Sequence, residues 1–347
     1  MERRLKSRKI YYYTSDDQEE KQDKRRIFYL LILLVLTSLM LSTTTYAWFT
    51  TNRIVTVGNI DVKVQTEGSL EISADGQDWK ALVDYNNIIS VHDTSYPNSI
   101  NQLPGYIKPV STVGNLDANG FMEMYLGIIT DDREANYNLT SEKQQDQEEN
   151  GDSGTGSYLA FDIFLRTTDT KDLYLTNESR IFYNGNSTGT ENATRVAFVV
   201  EGNVPDGTNL GTIQGLFTTN ANNVYIWEPN YDTHTEYGVE NAREIYGITT
   251  TETNAEALTY DGIKTSFTEQ IKIQEASRTI YPDYFGEVNP GIKTTKENTA
   301  FQRLFTLNSG ITKVRVYMWL EGQDVDCENR ASIANLTLAL QFSTNPS

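Results

Sequence analysis

The chain is poor in the residues that carry much protein chemistry. Among its 347 residues there is one cysteine, Cys327, and there are two histidines, His92 and His234. One cysteine excludes an intrachain disulfide and a thiolate-rich metal cluster, and two histidines cannot complete a three-histidine zinc site. Positive charge is also scarce: 29 Lys and Arg face 47 Asp and Glu, a formal net charge of −18. An acidic surface repels a phosphate backbone, so no nucleic-acid partner is expected. The chain has no His-Glu-x-x-His, no Gly-x4-Gly-Lys-Ser/Thr and no Gly-x-Ser-x-Gly, which removes the common signatures of metalloproteases, phosphate-binding loops and serine hydrolases. A hydrolase built on paired carboxylates has nothing to favour it, because so many acids make chance pairs inevitable. No catalytic residue, enzyme activity or cofactor is expected. What is abundant is Thr, Asn and Tyr, the last numbering 21 against 8 Pro. β-Branched and aromatic residues suit pleated strands, so composition leans to an all-β protein.

The N-terminus differs from the rest. Residues 1–26 hold nine bases and six acids and read as a basic, polar n-region on the cytoplasmic side. Residues 27–41 then run without a charge, and the wider segment 27–47 reads as an N-terminal apolar helix. Two readings stay open. A run this short fits the hydrophobic region of a secretory signal, with small Thr45 and Ala47 placed for cleavage by a signal peptidase before Trp48. Alternatively, 27–47 stays uncleaved as a single membrane anchor, with the basic cluster held inside. In both readings residues 48–347 lie outside the cell, at its surface. They carry 20 bases against 41 acids, a self-repelling balance suited to exposure in water.

Along 48–347 apolar residues alternate with polar ones. Ile60, Val62 and Val64 share one face of a strand; so do Leu159, Phe161, Ile163 and Leu165; Val314, Val316, Met318 and Leu320; and Leu336, Leu338, Leu340 and Phe342. Val196 to Val200 is a further short run, Phe121 to Ile129 reads as a buried strand, and Asp75-Gly76 marks a hairpin turn. A helical period is seen only over Glu236 to Tyr246. Many short strands separated by turns predict an antiparallel, jelly-roll-like β-sandwich. Long polar insertions are expected near 132–156 and 203–262, and 141–156, which lacks any apolar side chain, is expected to be a mobile loop.

Few residues suggest a site. His92 lies in a turn-like neighbourhood and reads as an exposed or satisfied histidine. Asp324, Asp326 and Glu328, spaced two apart, form the sharpest acidic cluster and a weak Ca²⁺ candidate. An EF-hand is excluded, since Asn329 stands where that loop needs Gly and Asn335 where it needs Glu. The cluster is therefore expected to be an acidic solvated turn, with no metal site. Cys327 reads as a small packed residue.

The junction Thr45-Tyr46-Ala47-Trp48-Phe49-Thr50, followed by Val57-Gly58-Asn59-Ile60-Asp61-Val62, resembles the signal-peptide region of the TasA/camelysin family. Leu159–Arg166, Arg195–Val199 and Val316–Gly322 resemble strands of TasA-like surface proteins. Members are exported by Gram-positive bacteria, are processed by a SipW-type signal peptidase, and include the fibre protein of biofilm matrix. The resemblance implies a jelly roll whose subunits polymerise, the N-terminal strand of one filling a groove in the next by β-augmentation. Here Trp48, Phe49, Ile54, Val55 and Val57 would be the side chains donated, unless this stretch is the first strand of its own sandwich. Some members are labelled metalloendopeptidases, a role this chain has no zinc ligands to fill. The expected protein is thus an exported structural cell-surface or extracellular-matrix protein, with a homopolymer or related matrix proteins as partners. The alternative is a membrane-tethered monomer that binds a partner or glycan through its loops.

Overall fold

The computed structural model describes residues 26–33, 55–65, 69–131, 137–144, 151–183, 188–248, 258, 260–288, 291–328 and 335–346. The chain divides into a short unit, Met1–Trp48, and a large one, Phe49–Ser347. In the first, residues 26–33 are helical, with Ile27 to Leu33 exposed. The remainder of the apolar run, together with Thr45, Ala47, Trp48, Phe49 and Ile54, lies outside the described residues. Among the described residues no helix is long and apolar enough to cross a membrane.

The large unit is built on two sheets packed face to face. The first runs in the order β17 (Gln302–Leu307), β9 (Lys171–Leu175), β19 (Asn335–Ser343), β1 (Val55–Val64), β4 (Pro104–Ile107) and β7 (Gly151–Gly156). Two short strands, β3 (Leu82–Asp84) and β10 (Arg180–Tyr183), pair with β1 and β19 respectively. The second runs β16 (Ile292–Thr294), β12 (Val224–Pro229), β11 (Thr194–Val204), β18 (Gly310–Leu320), β8 (Tyr158–Thr167) and β2 (Glu71–Ser73). The period-two pattern makes the sandwich. Ile60, Val62, Leu338, Leu340 and Phe342 from the first sheet meet Phe161, Ile163, Phe198, Val314 and Val316 from the second in one buried core. Phe198 and Phe342 touch edge to face across it, ring centroids 5.8 Å apart, the geometry that aromatic quadrupoles favour.

The pairing is not wholly antiparallel. β1 runs parallel to β19, β4 parallel to β7, and β12 parallel to β16, so the sheets are mixed. Alternation reports which face of a strand is buried and is the same for either direction of pairing. Of the polar stretch 141–156, residues 145–150 lie outside the described residues, and the rest departs from expectation. β6 (Tyr137–Gln144) pairs with β5 (Met124–Asp131) and with β14 (Phe267–Lys272), and 151–156 forms β7 at a sheet edge. Backbone ladders supply this order where side chains bury little. Likewise, the 203–262 insertion contributes β12 to the second sheet itself.

Helices are few and short: α1 (Tyr85–Ser90), α2 (Leu210–Gln214) and α3 (Glu236–Glu244). α3 falls within the stretch that carries the helical period. A small two-stranded sheet, β13 (Asp261–Ile263) with β15 (Phe285–Glu287), completes the unit. Gly310 opens β18 at φ 109°, with its Cα so near Val204 that an added Cβ would stand 2.3 Å from the Val204 carbonyl oxygen. Only glycine fits there.

The outer face of the second sheet is not left to solvent. Val110, Met122 and Met124 cover Tyr158, Ala160, Ala197, Val199, Ile226, Tyr317 and Trp319 in a second apolar cluster. Every residue of β18 is therefore buried, including the charged ones that alternation directs away from the sandwich core.

Candidate functional site

Two ionic clusters lie at opposite ends of this outer face. Register places Ala197, Tyr317 and Ala160 side by side between them. At one end is Arg195, fully buried on β11. Its guanidinium donates to Glu228 Oε1 at 2.7 Å, Asp324 Oδ2 at 2.5 Å, the Tyr260 hydroxyl at 3.1 Å and the Asn192 carbonyl at 2.6 Å. Lys293 reaches the other oxygen of Glu228 at 3.3 Å. With the Thr194 carbonyl at 3.1 Å, five acceptors surround one planar cation, as a buried charge requires.

The turn after β18 supplies the acids of this end. Asp324 is buried, and burial pushes its carboxyl up to about 6 although Arg195 opposes the shift. Glu321 is fully buried and held at about 7, again by burial, although Ser111, Trp319 and Gln323 hydrogen-bond to it. Asp326 does a different job. Its Oδ1 accepts from the Thr235 backbone N–H at 2.9 Å and the Thr235 hydroxyl at 3.0 Å, and its Oδ2 lies 2.7 Å from His234 Nδ1. Thr235 is the N-cap of α3, so the carboxylate sits on the positive end of that helix. Gly238 makes this possible, because a Cβ there would stand 2.2 Å from Asp326 Oδ1. Burial works to lower the His234 pKa, but the Asp326 carboxylate outweighs it and the net shift is upward.

The acidic cluster is thus a correction to the sequence reading: Asp324, Asp326 and Glu328 are buried, not solvated. Their alternate spacing suits a surface turn, and nothing in it reveals the residues that fold over them. Asp324 is already engaged by Arg195, and Asp326 by His234 and α3. Among the described residues no group of three or more His, Cys, Asp or Glu is arranged to hold a metal ion. Millimolar Ca²⁺ should therefore shift the thermal midpoint by less than about 1 °C, where a site at a hundredfold excess over Kd would add about 2.7 kcal/mol. A rise of several degrees, lost in Asp326→Ala, would show that a cation displaces these partners.

Beside Arg195 a cleft of about 410 Å³ opens to solvent, lined by Tyr246, Leu258, Tyr260, Arg278, Glu287 and Gln323 among others. Half-buried Tyr260 joins cleft and cluster, its ring 5.3 Å from the Arg195 guanidinium. Arg278 pairs with Glu287 at 2.8 Å on the rim.

The other sequence candidates fall elsewhere. His92 is exposed, with Nδ1 3.5 Å from the Ser99 hydroxyl. Cys327 is buried. Val55 is buried in the sandwich core and Val57 packs against it, both within β1. They are built into this chain's own sheet, so a donated segment would have to end before Val55. Sequence reasoning missed Arg195, Glu228, His234 and Tyr260. The one signal was a charge beside an apolar run, as in Arg195-Val196-Ala197-Phe198. No family model, no curated protein and no solved structure matches this chain.

Proposed function

We propose that the protein is an exported structural component of a Gram-positive cell surface or biofilm matrix. In this reading it is a jelly-roll relative of the TasA/camelysin group that assembles by donating its N-terminal segment to a neighbour. The observation that carries the reading is the open edge of the first sheet. Among the described residues β7, Gly-Asp-Ser-Gly-Thr-Gly, ends the sheet with β4 as its one pairing partner. It lacks the Lys and Pro that usually blunt an edge, and an unpaired row of N–H and C=O groups accepts an extended segment from another chain. The segment offered is 48–54, which carries Trp48, Phe49 and Ile54 and runs directly into β1. Burying those side chains removes apolar surface at about 25 cal/mol per Å², before the costs of association.

The test is assembly. Residues 48–347 are expected to form fibres, favoured by salt and mild acid because the acidic subunits repel one another. Residues 55–347, which keep all of β1, are expected to stay monomeric. Equal assembly by both, or by neither under any of these conditions, would sink the donor-segment idea.

The cleft beside Arg195 favours a second reading, a tethered monomer that binds a glycan or other small polar partner. Its size falls within the range of ligand sites, and it combines tyrosine rings with an Arg–Glu pair. Monomeric behaviour together with saturable oligosaccharide binding that is lost in Arg278→Ala would favour it.

A further inference from the structure

The second ionic cluster, at the other end of the outer face, holds two side chains that can react with each other. Lys313 on β18 and Asp162 on the adjacent β8 are both buried, with Nζ 3.3 Å from Oδ2. They stand diagonally across the ladder, since Lys313 pairs with Phe164 and Arg315 with Asp162. On the far side of Lys313, β11 bulges between Val200 and Gly202, and Glu201 is the residue in the bulge, with Gly202 paired to Lys313. A lysine and an aspartate therefore meet on adjacent strands, away from water, with buried Glu201 in the bulge of the third.

We propose that Lys313 and Asp162 condense into an intramolecular amide that staples β18 to β8.

The surroundings fit that step. Lys313 Nζ donates to the Gln214 carbonyl at 2.9 Å and the Leu216 carbonyl at 3.0 Å. Those bonds occupy both N–H groups of a neutral amine and leave its lone pair for the aspartate. Arg315 Nη1 donates to Asp162 Oδ1 at 3.0 Å, so it polarises the carboxyl and steadies an oxyanion on that oxygen. The Tyr96 hydroxyl lies 2.9 Å from Oδ2, the oxygen that must leave. The segment after α2 closes the site, because Thr218 N–H donates to Glu201 Oε2 at 2.8 Å. Burial holds the Glu201 carboxyl up at about 7.

The reaction balances without a co-reactant. The lysine ammonium passes a proton to the Asp162 carboxylate across their 3.3 Å contact. The free amine adds to Cγ, a C–N bond forms, and the C–O bond to the protonated oxygen breaks. One water leaves, carrying that oxygen with two of the protons that began on the ammonium, and nothing is oxidised or reduced. Two of the four buried charges disappear with it, and Arg315 and Glu201 remain as a balanced pair. Removing charge from a buried site is favourable in itself.

Mass spectrometry of the folded full chain decides between amide and ion pair. Trypsin should release peptides 144–166 and 304–315 joined, lighter by one water than their sum, with cleavage after Lys313 blocked. Asp162→Asn should join the same peptides with loss of ammonia instead of water, and Asp162→Ala should leave them separate. If the wild-type protein unfolds cooperatively and yet gives both peptides separate and unmodified after prolonged incubation, the pair is a plain ion pair and the proposal is wrong. That result needs no variant, so a poorly folding mutant cannot obscure it.

Discussion

Replacing Arg195 with methionine is expected to cost the protein about 3–5 kcal/mol of stability, the range found when one partner of a buried ion pair is removed. Methionine fills much of the volume, so packing alone does not account for the loss. The cost arises because Asp324 stays buried with no cation and Glu228 keeps only Lys293 at 3.3 Å, while Tyr260 and the Asn192 carbonyl lose their donor. For a unit of this size the thermal midpoint should fall by about 10 °C, at roughly 2–4 °C per kcal/mol. Chemical denaturation reads the same quantity through its midpoint. Adding Glu228→Gln and Asp324→Asn should recover a large part of it, since neutral side chains no longer need the guanidinium. A loss below about 1 kcal/mol would mean that the carboxylates are solvated.

Stability is expected to peak in mild acid. Glu201 and Glu321, both held at about 7, and Asp324, held at about 6, bind protons more tightly in the folded state than in the unfolded chain, because burial disfavours their charge. The native state gains protons first, so stability rises as pH falls from about 8 to about 5. His234 acts in the same direction. Its pKa is raised, so its contribution is present below about 6.5 and fades as pH rises through the folded value. Asp162 runs the other way. Burial raises its pKa, but Arg315 and Lys313 outweigh that and hold it below the usual carboxylate value. If the Lys313–Asp162 amide does not form, stability is also lost as pH drops below about 4. A melting series should find the midpoint at pH 5 several degrees above that at pH 8. The Glu201→Gln, Glu321→Gln double variant should flatten the slope; an unchanged slope would assign it to general charge repulsion.

The sandwich was legible because period two survives every tertiary detail. Ile60, Val62 and Val64 are buried where alternation placed them, and so are Leu338 and Leu340. Glu236 to Glu244 is helical because Thr235 caps it and because Val239 and Ala242 can be buried together on one face. The candidate site was not legible. Arg315 between Val314 and Val316 reads as a residue pointing to water, and so does Asp162 between Phe161 and Ile163. The residues that reach them, Tyr96, Ile100 and Asn101, come from a stretch with no strong period of its own. A covered outer face and an open one leave the same pattern in a strand. Only the fold of the covering segments distinguishes them.

The two terminal strands of the large unit lie against each other in parallel, Thr56 opposite Asn335 and Val64 opposite Phe342. If the chain is pulled by its ends, the force enters at the start of β1 and leaves at the end of β19, which are opposite corners of one ladder. The load is then a shear along the strands, borne by all the cross-strand hydrogen bonds together, instead of a peel that opens them one at a time. A molecule held at one end and dragged by flow or by a neighbour meets that direction of force. The topology makes the seam between its first and last strands the part that resists tension best.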